Sequence, residues 1–312
     1  MKYSVTLTLL CVALLPGAFG QSAAVNRIVG MGYLYPPVAV APGQLITVFV
    51  AGNLQGNISA AVTGNQAPVL AVRPASACPA STLCSSVTAI TIQIPYDIEP
   101  PCDFTNPACL VVEQAQLVVT ANGVAGAPIE LAPVTDRIHI LTSCDTVLPS
   151  GSGSAPYNEL PCPPMVTHAD GSLVTQGSPA QGGEEIIAYA VGLGLTTPAV
   201  KTGQAAATAT PTYEKFILDF NFRPNALATQ PVLPCFCPAS APNCPLPCPV
   251  LPGPLFSGLV AGFVGLYQIN FILPQPPVGT QSCSGTVQSN LTVSVGGQSS
   301  FDGAGICVTP PQ

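Results

Sequence analysis

The chain has 312 residues, enough for two ordinary domains, and only 7% of them are charged, against about a quarter in a typical soluble protein. The formal net charge is -7 and Lys and Arg form no cluster, which argues against a nucleic-acid partner because such surfaces neutralise phosphates with basic side chains. Glycine (29) and proline (36) are abundant. Turn formers in this proportion predict an all-β fold.

Residues 1–20 are typical of a secretory signal peptide. Lys2 supplies the positive start, residues 5–15 are apolar, and Ala18-Phe19-Gly20 places small residues at the two positions that a signal peptidase inspects. We expect cleavage before Gln21. A membrane anchor is the alternative, but the apolar run is shorter than the roughly 20 residues that span a bilayer. We therefore predict a secreted or cell-surface protein with no transmembrane segment in the mature chain.

Two stretches share one pattern and suggest a module that occurs twice. "GQLITVFVAGNL" begins at Gly43 and "GEEIIAYAVGLG" begins at Gly183. In each, an apolar run follows the first glycine, and a second glycine, Gly52 or Gly192, closes the run. Two more blocks recur downstream in the same order, and the aligned pairs are 89–95 with 268–274 and 117–123 with 291–297.

These later blocks have the period-2 alternation of half-buried strands, with Thr292 and Ser294 on the polar side of the last one. Asn122-Gly123 and Gly296-Gly297 fall at matched positions. Both dipeptides predict a tight hairpin turn with positive φ.

The second copy holds extra residues between its first two blocks. The segment 231–254, "PVLPCFCPASAPNCPLPCPVLPGP", is so rich in proline that we predict a projecting loop. We expect Phe236, Leu246 and Leu251 to be its apolar contact points, although a lid over a sheet edge is an equal alternative. The predicted division is a signal peptide at 1–20, domains at 21–148 and 165–312, and a Gly/Ser/Pro-rich linker at 149–164.

Loss of Cys11 with the leader leaves an even set of cysteines, which in an exported chain indicates disulfides. The twelve are Cys78, Cys84, Cys102, Cys109, Cys144, Cys162, Cys235, Cys237, Cys244, Cys248, Cys283 and Cys307. Four of them within the insertion could instead bind zinc or an iron–sulfur cluster, but their spacing matches no metal motif. We therefore expect no metal and no cofactor.

Several segments carry a resemblance to a known family: "APGQLITVFVAGNL", "ITIQIPYD", "THADGSLV", "GGEEIIAYAVGLG", "AGFVGLYQINFILP" and "LTVSVGGQSS". They resemble the uncharacterised C-terminal β-domain family of exported proteins in Solibacter-type acidobacteria, which is similar in turn to IPT/TIG immunoglobulin-like domains. The likeness covers nearly the whole mature chain and is strong from about Gly171 to Val308. It implies export and a tandem of two immunoglobulin-like β-sandwiches, and it supplies no catalytic residue.

The two histidines allow a hydrolase alternative, because each has an aspartate nearby. Asp136 and Asp145 lie close to His139, and Asp170 follows His168. No G-x-S-x-G motif accompanies them. We interpret Asp170 and the glycine after it as a turn. We interpret Asp136 and the arginine after it as a surface pair. Both histidines are therefore expected to be dispensable.

Other candidate sites also have simpler interpretations. Glu184 and Glu185 could bind calcium beside Asp170, but adjacent acids at a strand entrance more often form a solvated edge. The acceptor patterns at Asn57 and Asn290 are expected to be unmodified in a bacterial chain, which the resemblance implies. A sugar-stacking surface would have to use tyrosines, because tryptophan is absent, and the candidates are Tyr33, Tyr35 and Tyr157.

The sequence thus predicts a secreted or cell-surface structural or binding module that is not an enzyme. Its expected partner is a surface polysaccharide or another exported protein. A carbohydrate-binding accessory protein is the first alternative, and a small secreted hydrolase that uses His168 or His139 is the second.

The redox state of the cysteines gives a first testable prediction. We expect Cys78–Cys84, Cys102–Cys109, Cys144–Cys162 and Cys283–Cys307, with two more bridges inside the insertion, each stabilising the fold by a few kcal/mol. Alkylation without reduction, followed by mass spectrometry, should label no cysteine of the mature protein. Stoichiometric labelling of several cysteines, or zinc in the purified protein, would contradict the prediction.

Overall fold

The computed structural model describes residues 25–29, 37–76, 86–98, 114–145, 162–232 and 252–311. In these ranges the chain is all β, as predicted, and its strands form four sheets. No helix in the described part of the chain is long and apolar enough to cross a membrane.

The N-terminal half, residues 25–134, builds two sheets. Its strands are β1 (Val25–Val29), β2 (Val38–Val40), β3 (Leu45–Ala51), β4 (Ile58–Val62), β5 (Asn65–Ala67), β6 (Val69–Ser76), β7 (Ser86–Gln93), β8 (Ala115–Ala121), β9 (Val124–Ala125) and β10 (Ile129–Pro133). One sheet has the order β1-β3-β7-β6 and the other has the order β2-β10-β8-β4-β5, with β9 beside β8.

The C-terminal half, residues 135–311, also builds two sheets. Its strands are β11 (His139–Ile140), β12 (Val166–His168), β13 (Glu185–Val191), β14 (Thr210–Pro211), β15 (Ile217–Asn221), β16 (Phe256–Leu259), β17 (Tyr267–Ile272), β18 (Leu291–Gly296) and β19 (Phe301–Ile306). The larger sheet has the order β11-β13-β17-β16-β14, with β12 paired to β13, and the smaller sheet has the order β15-β18-β19.

In each half the two sheets enclose one apolar core, which is the arrangement of a β-sandwich. Ile46 of β3 and Leu117 of β8 belong to the same cluster in the N-terminal half. Phe271 of β17 and Val293 of β18 share the corresponding cluster in the C-terminal half. Every second residue of these strands points inward, and full burial of one such side chain contributes about 1.5–3 kcal/mol. The alternation seen in the sequence therefore places the core correctly.

The repeated blocks pair in the same register in both halves. Ile46 of β3 lies opposite Ile92 of β7, and the aligned residues Ile186 and Phe271 lie opposite each other in β13 and β17. The opening glycines also match, because Gly43 N donates to the carbonyl of Ile94 (3.1 Å) and Gly183 N donates to that of Leu273 (2.8 Å). The internal repeat of the sequence is therefore a repeat of backbone pairing.

The two predicted hairpin turns have different outcomes. Asn122 and Gly123 have φ values of 52° and 83° and join Ala121 to Val124 in a tight turn, as expected. The prediction for Gly296-Gly297 is wrong, because neither residue has a positive φ and residues 297–300 form a longer turn between β18 and β19.

A buried carboxylate organises that longer turn. Asp136 is fully buried and accepts hydrogen bonds from the N–H groups of Gln298 (2.7 Å), Ser299 (2.9 Å) and Ser300 (3.0 Å). Its interpretation as part of a surface pair is therefore wrong. The carboxylate gives hydrogen-bond partners to three backbone N–H groups of this turn. A two-residue hairpin would not leave these N–H groups without a partner.

Residues 136–145, expected in the first domain, pack with the C-terminal half. His139 and Ile140 pair with β13, and Arg137 N donates to the carbonyl of Gly192 (2.7 Å). Ile140 also belongs to the C-terminal core. The chain thus passes between the two cores near Val134, earlier than the predicted boundary at residue 148.

The outer face of β18 is covered rather than solvated. Residues 226–231, which we call the strap, cross it: Thr292 Oγ1 donates to the carbonyl of Ala226 (2.6 Å) and Thr229 N donates to Ser294 Oγ (3.2 Å). All six residues of β18 are buried in consequence. The half-buried pattern predicted for this strand is therefore wrong on its polar side.

Hydrogen bonds join the two halves at one end of β7. Gly203 N donates to Gln93 Oε1 (2.6 Å), and Tyr96 N donates to Thr202 Oγ1 (3.0 Å). The Tyr96 and Tyr267 hydroxyls lie 3.4 Å apart. Burial raises the pKa of both phenols, so each remains a neutral donor across the ordinary pH range.

Two glycines allow the backbones to approach at this junction. A Cβ on Gly43 would lie 2.1 Å from Cε1 of Tyr96, and a Cβ on Gly265 would lie 2.7 Å from Cδ2 of Leu45. Gly43 also has a φ of 73°, which disfavours any side chain. The glycine that opens the first repeat therefore serves the turn and leaves room for Tyr96 of the same half, whose hydroxyl reaches Tyr267 of the other half.

The stability of this junction can be tested with a matched pair of glycine substitutions. Gly43→Ala combines positive-φ strain of about 1–2 kcal/mol with a clash against Tyr96 that adds about 1–3 kcal/mol. Gly64→Ala carries only the first cost, because its φ is 83° and nothing lies within 4 Å of the added Cβ. Guanidinium unfolding should show the larger loss for Gly43→Ala. Equal losses would show that the contact with Tyr96 contributes nothing.

Candidate functional site

Two of the predicted disulfides are confirmed. Cys144 bonds to Cys162 with a Cα–Cα distance of 5.5 Å, and Cys283 bonds to Cys307 with a distance of 5.9 Å. The remaining candidates lie outside the described residues: Cys78, Cys84, Cys102, Cys109, Cys235, Cys237, Cys244 and Cys248. Both confirmed bridges belong to the C-terminal half, where the two histidines also lie.

His139 is held by two carboxylates. Its Nε2 lies 2.9 Å from Asp145 Oδ1, and its Nδ1 lies 3.2 Å from Asp302 Oδ2. Asp302 also accepts a hydrogen bond from Ile140 N (2.8 Å), and the second oxygen of Asp145 accepts one from Thr142 N (2.6 Å). The cluster ties β11 to β19 and to the chain beside the Cys144–Cys162 bridge. Sequence proximity identified Asp145 as a partner and missed Asp302.

The cluster keeps His139 charged. Burial alone would lower the pKa of His139, but the hydrogen bonds and negative charges of Asp145 and Asp302 outweigh it and raise that pKa to about 9. Burial likewise acts to raise the pKa of Asp145, and its bonds to His139 and Thr142 lower it overall. An imidazolium with both nitrogens occupied cannot accept a proton, so His139 has a structural role.

His168 lies at the end of β12 and contacts two neighbouring turns. Its Nδ1 lies 2.5 Å from Glu184 Oε1, and its Nε2 lies 3.2 Å from both the hydroxyl and the carbonyl oxygen of Ser178. Asp170, the sequence-based partner, instead accepts a hydrogen bond from Ser172 N (2.9 Å) in the predicted turn. His168 therefore lies between Ser178 and Glu184, with one ring nitrogen facing each of them.

The surroundings of His168 favour its charged form. Burial acts to lower the pKa of His168, but the hydrogen bond to Glu184, the Ser178 carbonyl and the charges of Glu184 and Asp170 raise it overall. The free Nε2 lone pair, which proton transfer requires, is therefore more populated at alkaline pH.

The two adjacent glutamates have different hydrogen-bond partners. Glu184 bonds to His168 and accepts a hydrogen bond from Gln181 N (2.8 Å), whereas Glu185 accepts one from Asn270 Nδ2 (2.9 Å). No group of three acidic, cysteine or histidine side chains in the described ranges could hold a metal ion.

The two glycosylation patterns differ in accessibility. Asn290 is fully buried, and its Nδ2 donates to the carbonyls of Gln281 (2.6 Å) and Val308 (2.8 Å). Asn57 is exposed. The amide of Asn290 is therefore a structural element of the folded chain rather than a modification site.

A groove of about 380 Å³ lies beside both confirmed disulfides. Cys162 and Cys307 border it, and Thr175 and Gln176 bring it next to the turn that carries Ser178. None of the lining residues is charged. Its volume is within the range of small-ligand sites.

No family model matches the chain, and a search of curated proteins finds no match.

The His139 cluster gives a pH-dependent prediction. Because its pKa rises from 6.5 to about 9 on folding, its contribution is complete below pH 6.5 and is lost as the pH rises toward 9. We expect His139→Gln to lower the free energy of unfolding by about 2 kcal/mol at pH 6. Guanidinium unfolding of both proteins at pH 6 and pH 9.5 should show a smaller difference at the higher pH. A difference that is constant with pH would contradict the assigned ion pairs.

Proposed function

We propose that the protein is an exported structural or binding module whose partner is a surface polysaccharide or another exported protein. Disulfides suit the oxidising space outside the cytoplasm, and a binding role requires no catalytic group. The all-β sandwich fold supports the proposal, because such scaffolds commonly present binding loops at their ends.

The observation that carries the proposal is the way the insertion leaves the sandwich. Of the strands on either side of it, β15 pairs along its whole length with β18, and β16 pairs along its whole length with β17. Both ends of the insertion rest on the smaller sheet: Pro231 packs over Gly296, and Leu218 N donates to the carbonyl of Pro252 (2.8 Å). A loop with a fixed base loses less conformational entropy when its tip binds a partner.

Exposed apolar side chains surround this base. Leu227 is 84% exposed, Val232 is 71% exposed and Leu255 is 62% exposed. Large apolar groups at such exposure are favourable contact points for a partner. Phe236, Leu246 and Leu251 lie outside the described residues, and their role as contact points stays a prediction.

Apolar contact suits the composition of the chain better than electrostatic attraction does, because Lys and Arg number only seven. A sugar platform would need exposed aromatic rings, and the candidates Tyr33, Tyr35 and Tyr157 lie outside the described residues. A glycan array separates a polysaccharide partner from a protein partner.

Replacement of residues 231–254 by a short Gly/Ser linker tests the binding role. We expect the melting temperature to change by only a few degrees, and attachment to the cell-envelope fraction of the producing cells to be lost. Val278→Ser is the matched control, because Val278 is 96% exposed and belongs neither to the insertion nor to the strap. A linker variant that binds normally would refute the binding role. One that unfolds would show that the insertion is part of the fold, and Leu227→Ser with Val232→Ser, which leave the loop intact, should then still weaken attachment.

A further inference from the structure

We infer that Ser178, His168 and Glu184 form a nucleophile–base–carboxylate relay that gives the protein a serine-esterase activity toward small neutral esters. The inference stands apart from the proposed binding role, because all three residues belong to the segment 168–184 and none belongs to the insertion. It takes up the second sequence-based alternative, a hydrolase that uses His168, and departs from the main expectation of a chain without catalysis.

The geometry meets the requirements of a serine nucleophile. Ser178 Oγ lies 3.2 Å from His168 Nε2, and the other ring nitrogen lies 2.5 Å from Glu184. Glu184 is itself oriented by Gln181 N, and His168 is fixed by the pairing of β12 with β13. Ser178 Oγ has no other hydrogen-bond partner in the described part of the chain. A nucleophile, a base and a third group that orients the base form the common pattern of activated hydroxyls.

The turn that carries Ser178 is open to a substrate. Ser178 is exposed, and a Cβ on Gly177 would have a single neighbour within 4 Å, Thr175 Oγ1 at 3.9 Å. Ser178 N is engaged by Thr175, whereas the N–H groups of Gln176 and Gly177 donate no hydrogen bond within the described chain. We assign those two donors to the oxyanion that forms during acyl transfer.

The surroundings select the class of substrate. Thr175 and Gln176 line the uncharged groove of about 380 Å³, which has room for a small neutral group. Asp170 and Glu184 place negative charge near His168 and disfavour anionic esters. Small uncharged acyl esters therefore fit best.

The reaction conserves every atom and proton. Ser178 Oγ attacks the ester carbonyl carbon while its proton passes to His168 Nε2. The bond to the leaving oxygen then breaks, and Nε2 returns the proton to that oxygen, which releases an alcohol and leaves an acyl-serine. Water, activated by the same nitrogen, attacks the acyl carbon, and the carboxylic acid leaves as the Ser178 hydroxyl is restored.

The second contact of Nε2 makes the relay dependent on pH. When both nitrogens carry protons, Nε2–H donates to the Ser178 carbonyl or hydroxyl and accepts nothing. When the proton stays on Nδ1 facing Glu184, Nε2 accepts the Ser178 hydroxyl proton. Glu184 and Asp170 are the charged groups that face the ring, and both favour the doubly protonated form. Activity should therefore increase as the pH rises above neutrality.

Labelling by a fluorophosphonate tests the inference without knowledge of the natural ester. The mature protein is treated at pH 6 and pH 9, the modified residue is located by mass spectrometry, and hydrolysis of 4-nitrophenyl acetate is followed in parallel. Ser178→Ala, His168→Gln and Glu184→Gln probe the relay. Ser172→Ala is the control, because Ser172 is an exposed serine that bonds to Asp170 and lies outside the relay.

We expect one label at Ser178 that forms faster at pH 9, is absent in Ser178→Ala and is unchanged in Ser172→Ala. His168→Gln should slow labelling by about 100-fold, as the loss of a general base does. Glu184→Gln should slow it less than His168→Gln does, because the base remains, although the single amide oxygen can accept a hydrogen bond from only one of His168 and Gln181 N. No label at Ser178 at pH 9, or equal labelling of folded His168→Gln, would overturn the inference.

Discussion

The packing of the Tyr96 ring on the bare backbone of Gly43, within the N-terminal half, places the Tyr96 hydroxyl at the contact with the C-terminal half. The ring lies where any side chain at residue 43 would be, and its hydroxyl meets that of Tyr267. Tyr267 in turn donates to the carbonyl of Gly194 (2.6 Å) at the end of the second repeat. A single line of contacts thus connects the opening of one repeat with the close of the other.

The candidate site arises from one chemical difference between equivalent positions. Gln44 and Glu184 occupy the same place in the two repeats, and each accepts a hydrogen bond of 2.8 Å from the backbone N–H three residues earlier. The second side-chain atom of Gln44, Nε2, has no partner in the described structure. The second oxygen of Glu184 binds His168. An amide completes the fold in the first copy, whereas a carboxylate in the second copy also orients a histidine.

Local patterns predicted the features that depend on near neighbours in sequence. The strand alternation, the turn at Asn122 and the Cys144–Cys162 bridge were all readable, because φ preference, side-chain period and loop closure act over short distances. Asp302 and His139 are in contact although 163 residues separate them in the sequence, and no local pattern predicts that pairing. The turn prediction for Gly296-Gly297 failed for the same reason, because the carboxylate of Asp136, distant in sequence, organises the turn there.

The relay shows the same limit. His168 and Glu184 were both identified as unusual residues, but their pairing depends on the register of β12 against β13, in which His168 lies opposite Ile186. The sequence does not distinguish Ser178 from the other serines, and only the folded chain shows its hydroxyl beside the His168 ring. The apolar strands could thus be placed from the sequence, whereas the polar partners required the folded chain.

The unit that repeats in the sequence is smaller than the unit that packs together in the structure. The second repeat begins in the sequence near Gly183, yet its sheet includes β11, and Asp136 forms the turn between its last two strands. A fragment cut at the linker would therefore keep every residue of the second repeat and lose an edge strand and the buried carboxylate of Asp136. Similarity between the copies reflects matched strand pairing, whereas the complete sheet of the second copy also needs residues that precede it.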